Sequence, residues 1–159
     1  MGRGIGHVFA YAGYEADIID FKPGVRDLRE AVLAEISGNL RLLAGLGLLN
    51  DAQQAAILKR VRVVGHAQAA EALARADVLF EGVTETLDAK RDAFERACKH
   101  LRPDAIIAST TSSMLADTLA EMVTHPGRFL NAHFLNPAYL IPLVEVSPSK
   151  KTDEKTYQA

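Results

Sequence analysis

Six short apolar runs, separated by stretches with helical spacing, constrain this chain more than any other feature. They lie at residues 15–20, around Ile18 and Ile19, and at 61–65, 77–83, 104–109, 129–134 and 143–147. Most are apolar along their whole length rather than alternating, which is the pattern of strands covered by helices on both faces. The expected fold class is therefore α/β, with a doubly wound and mainly parallel sheet.

The stretches between the runs supply the helices. The chain opens on a helix start with Gly2, Gly4 and Gly6, carries Ile5, Val8 and Phe9 at helical spacing, and meets a stop at Gly13. Residues 23–49 hold a long apolar stripe of Leu28, Ala31, Val32, Ile36, Leu40, Leu43 and Leu46, broken at Asn50 and Asp51. Asp51 is expected to cap a second helix that runs to Arg60. The pair reads as a helical hairpin over about residues 24–61, inserted after the first strand. Further helices are expected at 67–76, at 87–101 with Leu87, Phe94, Ala97 and Leu101 on one side and Pro103 as the stop, and at 113–123. Residues 148–159 are charged and lose periodicity. The expected organisation is one domain over 1–148, followed by a linker or the start of a further helix over 149–159.

Composition narrows the function classes. The chain has 159 residues, 48% of them apolar, enough for a packed core, and no apolar run approaches the ~18 residues that cross a bilayer. With 18 basic and 20 acidic residues it lacks the electrostatic footprint of a nucleic-acid binder. Neither nucleic acid nor membrane is an expected partner. The single cysteine, Cys98, rules out an internal disulfide, and the N-terminus lacks the basic and apolar regions of a signal peptide, so a cytoplasmic setting is expected.

Several residues stand where chemistry is done. Gly2, Gly4 and Gly6 at a helix start suit a dinucleotide, whose pyrophosphate needs close backbone approach and the positive end of a helix. The spacing is G-x-G-x-G, however, and tight packing of the helix on a strand explains the same glycines. Asp20, at the end of the first strand, suits the ribose hydroxyls of NAD and repels a 2′-phosphate. Its plain alternative is a solvated turn aspartate before Lys22 and Pro23. Ser112 follows one strand and His133 lies near the end of another, and the carboxyl ends of parallel strands are where such sheets bind ligands. Glu145, flanked by Leu143, Val144 and Val146, reads as a strand carboxylate among apolar neighbours, which needs a partner. A histidine is a natural one, and the pair makes His133 a candidate general base. A satisfied core histidine beside an edge glutamate is the alternative. Glu85 and Lys90 suit a cofactor-facing pair, although a helix-start acid and a solvated lysine are the ordinary reading. Cys98 reads as packing, and His7, His66, His100 and His125 lack metal-ligand spacing.

Taken together, Met1-Gly2-Arg3-Gly4-Ile5, Ile19-Asp20, Glu81-Gly82-Val83-Thr84-Glu85 with Lys90, Ala108-Ser109-Thr110-Thr111-Ser112-Ser113, and His133-Phe134-Leu135-Asn136-Pro137 through Pro142-Leu143-Val144-Glu145-Val146 resemble the NAD-binding domain of the L-3-hydroxyacyl-CoA dehydrogenase family, in order and over nearly the whole chain. The resemblance implies a Rossmann-like domain and NAD-dependent oxidation of a 3-hydroxyl. In it His133 is the base, Glu145 orients and stabilises the imidazolium, and Ser112 donates to the reacting oxygen. Gly2, Gly4, Asp20, Glu85, Lys90 and Thr110 fall on the cofactor side, with Ser112 and Asn136 on the substrate. It also implies an acyl-CoA or hydroxy acid substrate, a homodimer, and a role for the helical hairpin in acyl-CoA binding.

Three departures accompany the resemblance. Thr110 stands where the acyl-CoA enzymes commonly carry an asparagine. Residues 138–142, Ala-Tyr-Leu-Ile-Pro, are similar to relatives that oxidise free hydroxy acids such as carnitine or gulonate. The family's first strand and helical C-terminal domain have no counterpart here, so the chain is expected to be the central part of a longer enzyme and, taken alone, a weak NADH binder. A non-catalytic NAD-binding remnant is the reading from a different class.

Overall fold

A computed structural model describes residues 1–19 and 28–159. In chain order the elements are α1 (Gly2–Tyr11), β1 (Ala16–Ile19), α2 (Leu28–Gly45), α3 (Asp51–Arg60), β2 (Val61–Val64), α4 (Ala69–Arg75), β3 (Val78–Glu81), α5 (Leu87–Cys98), β4 (Ile106–Ser109), α6 (Ala116–Ala120), β5 (Phe129–Phe134), β6 (Val144–Pro148) and α7 (Glu154–Tyr157). None of the described helices is long and apolar enough to cross a membrane. The chain divides into two compact units, one of Arg3–Ala69 with Asn136–Ile141, the other of Met1–Gly2, Ala70–Leu135 and Pro142–Ala159.

In the first unit β1 and β2 pair in parallel, Ala16 opposite Val61 through Ile19 opposite Val64. Their cover is the expected helical hairpin. Val32, Ile36 and Leu40 of α2 close on Ala10, Ile57 and Val61 in one buried cluster. Helix ends follow local chemistry. Gly13, at φ +104°, closes α1 with its own amide on the Ala10 carbonyl and that of Tyr14 on Phe9, and Gly47 closes α2 in the same way. The N-cap of α3 is Asn50 and not Asp51. The Asn50 side chain accepts from the Gln53 amide and the Gln53 side chain from the Asn50 amide, a reciprocal box that leaves Asp51 as the first helical residue. His7 is fully buried with its ring stacked on Tyr139 and neither ring nitrogen bonded among the described residues, and burial lowers its pKa.

The second unit holds a four-stranded sheet in the order β3-β4-β5-β6, parallel except for the antiparallel edge strand β6. Phe94 of α5 and Phe129 of β5, both fully buried, meet edge to face at 5.9 Å in a cluster with Ile107, Leu119 and Val123. Three expectations shift here. Helix α5 ends at Cys98, where the amides of His100 and Leu101 both turn back to the Ala97 carbonyl ahead of Pro103. Its buried face runs through Lys90, Phe94 and Ala97, whereas Leu87 is exposed. Helix α6 starts only at Ala116, because the Thr111 hydroxyl accepts from the amides of Ser113 and Met114 and holds that stretch in a turn. The chain's last residues pack on this unit. Arg128 Nη1 donates to Thr156 Oγ1 at 2.8 Å, and Thr152 Oγ1 donates to the Phe129 carbonyl at 2.6 Å.

Candidate active site

A dense polar cluster lies at the carboxyl end of β3. Lys90, on the inner face of α5, is fully buried, and a buried ammonium is tolerated only with compensating charge and hydrogen bonds. Its Nζ lies 3.1 and 3.0 Å from the two carboxylate oxygens of Glu81 and 3.0 Å from Glu85 Oε2. Glu81 also accepts from the Val83 amide at 2.8 Å and from Ser109 Oγ at 2.7 Å. The plain alternative of a solvated lysine is thus excluded by the helical phase that places Lys90 inward.

Glu85 faces the other way, with its side chain 38% exposed. Its Oε1 accepts from the Thr111 hydroxyl, from the Ser112 amide at 3.2 Å and from the Ser113 hydroxyl at 3.1 Å. Burial pushes the Glu85 pKa up, but the Thr111 and Lys90 hydrogen bonds, the Lys90 charge and the Ser113 bond outweigh it and hold the group at about 2. Glu85 is therefore a carboxylate throughout the physiological range, tied to the loop that carries Ser112.

On the far side of the same sheet, His133 and Glu145 are direct register partners across β5 and β6. His133 Nδ1 lies 2.7 Å from Glu145 Oε2. The pairing expected from the sequence is present, but the burial invoked for it is not. The Glu145 side chain is 62% exposed and β6 is exposed along its length. The His133 side chain is 28% exposed.

The glycines divide between the two roles considered for them. A Cβ on Gly6 would come within 3.0 Å of Ile18, so Gly6 serves the packing of α1 on β1. Gly4 lies against Ala138, at 3.5 Å from such an atom, and Gly2 has nothing within 4 Å. Asp20 lies outside the described residues. Thr110 donates its amide to the Glu81 carbonyl, Ser112 is exposed, and so is Asn136 in the other unit.

Reasoning from the sequence passed over Glu81, Ser109 and Thr111 as site residues. Glu81 was findable, since it ends an apolar strand between Phe80 and Gly82 and so meets the criterion of a strand carboxylate among apolar neighbours.

Comparison with known proteins follows the same line. The family model described as "3-hydroxyacyl-CoA dehydrogenase, NAD binding domain" matches residues 1–159. The chain belongs to this family. Among curated relatives it is similar to a 3-hydroxybutyryl-CoA dehydrogenase of Bradyrhizobium diazoefficiens, 34% identical over all of this chain and 52% of the relative. It is also similar to an L-carnitine dehydrogenase/betainyl-CoA thioesterase of a Rhizobium species, 34% identical over 94% of this chain and 28% of the relative. Among solved structures, the (S)-3-hydroxybutyryl-CoA dehydrogenase of Ralstonia eutropha superposes with a TM-score of 0.90 at 26% identity, over 99% of this chain and 54% of that one. The chain spans about half the length of the 3-hydroxybutyryl-CoA dehydrogenases it matches.

The residues of this NAD-binding domain fit the cofactor. A Cβ on Gly82, directly after β3, would lie 3.2 Å from the Gly2 backbone nitrogen and 3.6 Å from Thr110 Oγ1, so two backbone segments approach closely at a glycine. Gly2 opens α1, whose first turn carries no acidic residue and so leaves its amide end free of competing negative charge. Asn131 Oδ1 is buried without a partner among the described residues, while its Nδ2 donates to the Thr111 carbonyl, which leaves an unused acceptor at the loop that Glu85 holds.

Proposed function

We propose that the protein carrying this chain oxidises the 3-hydroxyl of an L-3-hydroxyacyl-CoA to the ketone, reversibly, with NAD. The observation that carries the reading is the His133–Glu145 pair. With Nδ1 occupied by Glu145, the Nε2 of His133 is the nitrogen left to take the hydroxyl proton, and Glu145 holds the ring in that orientation and stabilises the imidazolium that results. Bound NAD supplies the hydride acceptor. Ser112 donates its hydroxyl to the reacting oxygen, on a loop fixed by the hydrogen bond from its own backbone N–H to Glu85. In the direction of reduction His133 returns the proton. Gly2, Gly4, Asp20, Glu85, Lys90 and Thr110 are assigned to the cofactor side and Asn136 to the substrate. A homodimer in the cytoplasm belongs to the same proposal, with Cys98 a free thiol.

The test is His133→Gln in the intact protein, assayed by NADH-linked reduction of acetoacetyl-CoA. Loss of a general base costs ~10²-fold or more, and retention of over ~10% of the activity would show that His133 is not the base.

A second reading has its own observation. Residues 138–142 are similar to those of enzymes acting on free hydroxy acids, and L-carnitine dehydrogenases are among the relatives. Oxidation of L-carnitine or a free 3-hydroxy acid, with none of an acyl-CoA, decides for it.

A further inference from the structure

We propose that Glu81 is a positioning residue of the cofactor site, acting through Lys90 on Glu85; this rests on the NAD-dependent reading above.

The argument starts from a count of protons. An ammonium has three, and Lys90 Nζ has three carboxylate oxygens within 3.1 Å: both of Glu81 and Oε2 of Glu85. With the lysine fully buried, no donor remains for a ligand, so Lys90 reaches the cofactor side only by way of Glu85. The two carboxylates are unequal. Each accepts four contacts, but the Glu81 side chain is 2% exposed whereas the Glu85 side chain is 38% exposed. The first is therefore the anchor and the second the working face.

The cluster is also placed where ligands bind. Glu81 ends β3, opposite Ser109 at the end of β4, and its carboxylate takes the Ser109 hydroxyl. The Ser109 oxygen in turn accepts from the Thr111 amide at 3.4 Å, and the Glu81 carbonyl accepts from the Thr110 amide at 2.9 Å. The loop bearing Ser112 is thus held from inside by Glu81 and from outside by Glu85. Stability alone gives little reason for such an arrangement, since a buried ion pair is commonly no better than an apolar pair of the same volume. What it provides is one fixed place for the Glu85 carboxylate, at the carboxyl end of a parallel sheet.

The experiment measures NADH affinity by fluorescence titration of the intact protein, with thermal unfolding recorded alongside, for wild type, Glu81→Gln, Glu85→Gln and the double variant. The Glu81→Gln change keeps the shape but takes the charge from Lys90, and it is expected to weaken NADH binding about 10-fold, with the double variant within about 2-fold of Glu85→Gln alone, because the two act in series. Glu81→Asp keeps the charge and is expected to recover part of the loss. Unchanged NADH affinity in a less stable Glu81→Gln protein overturns the proposal, as do losses that multiply in the double variant. Should Glu81→Gln fail to fold, Glu81→Asp decides alone: weakening of about 3-fold supports the role, and wild-type affinity overturns it. A wild-type protein that does not bind NADH overturns the cofactor reading together with this role, whereas wild-type binding that Glu81 variants do not alter overturns this role only.

Discussion

His133 and Glu145 face each other across the antiparallel ladder of β5 and β6, joined by a 2.7 Å contact from Nδ1 to Oε2. The contact lies at the outer strand of the sheet, where an exposed ion pair adds little to stability. The role proposed for it is orientation of the imidazole.

Glu145→Gln is accordingly expected to lower kcat for NADH-linked acetoacetyl-CoA reduction by ~10- to 100-fold, less than the ~10²-fold or more that loss of the base itself costs. The NADH dissociation constant should stay within about 2-fold of wild type, and the unfolding free energy should fall by less than ~1 kcal/mol, as for an exposed pair. Equal losses in stability and kcat would assign Glu145 a structural role instead.

Glu85 imposes a pH dependence on stability. Its folded-state pKa of about 2 lies below the ordinary 4.5, so it contributes fully above about pH 4.5 and loses that contribution as pH falls toward 2. Because the side chain is more than one-third exposed, solvent screening cuts the contribution to the order of 1 kcal/mol. Chemical unfolding between pH 5 and pH 2.5 should show a steeper loss for wild type than for Glu85→Gln; parallel curves would show that the network does not hold the carboxylate.

Phe94 carries much of the core beneath that network. It is fully buried and packs on Phe129 and Leu119. Phe94→Ala should cost roughly 3–5 kcal/mol through lost burial and the cavity left behind. A chain of this size should then unfold at least ~6 °C lower, as calorimetry would register. A change under ~2 °C would mean that the site collapses around the smaller side chain.

Much of this was legible in the sequence, and the failures have physical causes. The apolar runs located the six described strands, five of them in parallel ladders whose strands are apolar on both faces, and Gly13 marked a helix end because its positive φ strongly favours glycine. The burial argument for an acid on a strand was sound but was applied to Glu145, whereas Glu81 is the one it describes. Flanking apolar residues do not reveal whether a strand's faces are covered, and those of β6 are not, with Val144 and Val146 exposed. For Lys90 the solvated alternative rests on its charge alone, whereas Phe94 and Ala97 follow it at helical intervals and put it on the inner face. The bonds from Thr111 and Ser113 to Glu85 span 26 and 28 residues and have no local signature.

The enclosure of Lys90 has a consequence for chemical labelling. An amine whose three protons are engaged and whose surface is wholly covered cannot meet an acylating reagent while the fold is closed. The rate at which Lys90 is labelled therefore reads how often the junction of β3 and α5 comes open, and turns the lysine into a built-in clock for local unfolding.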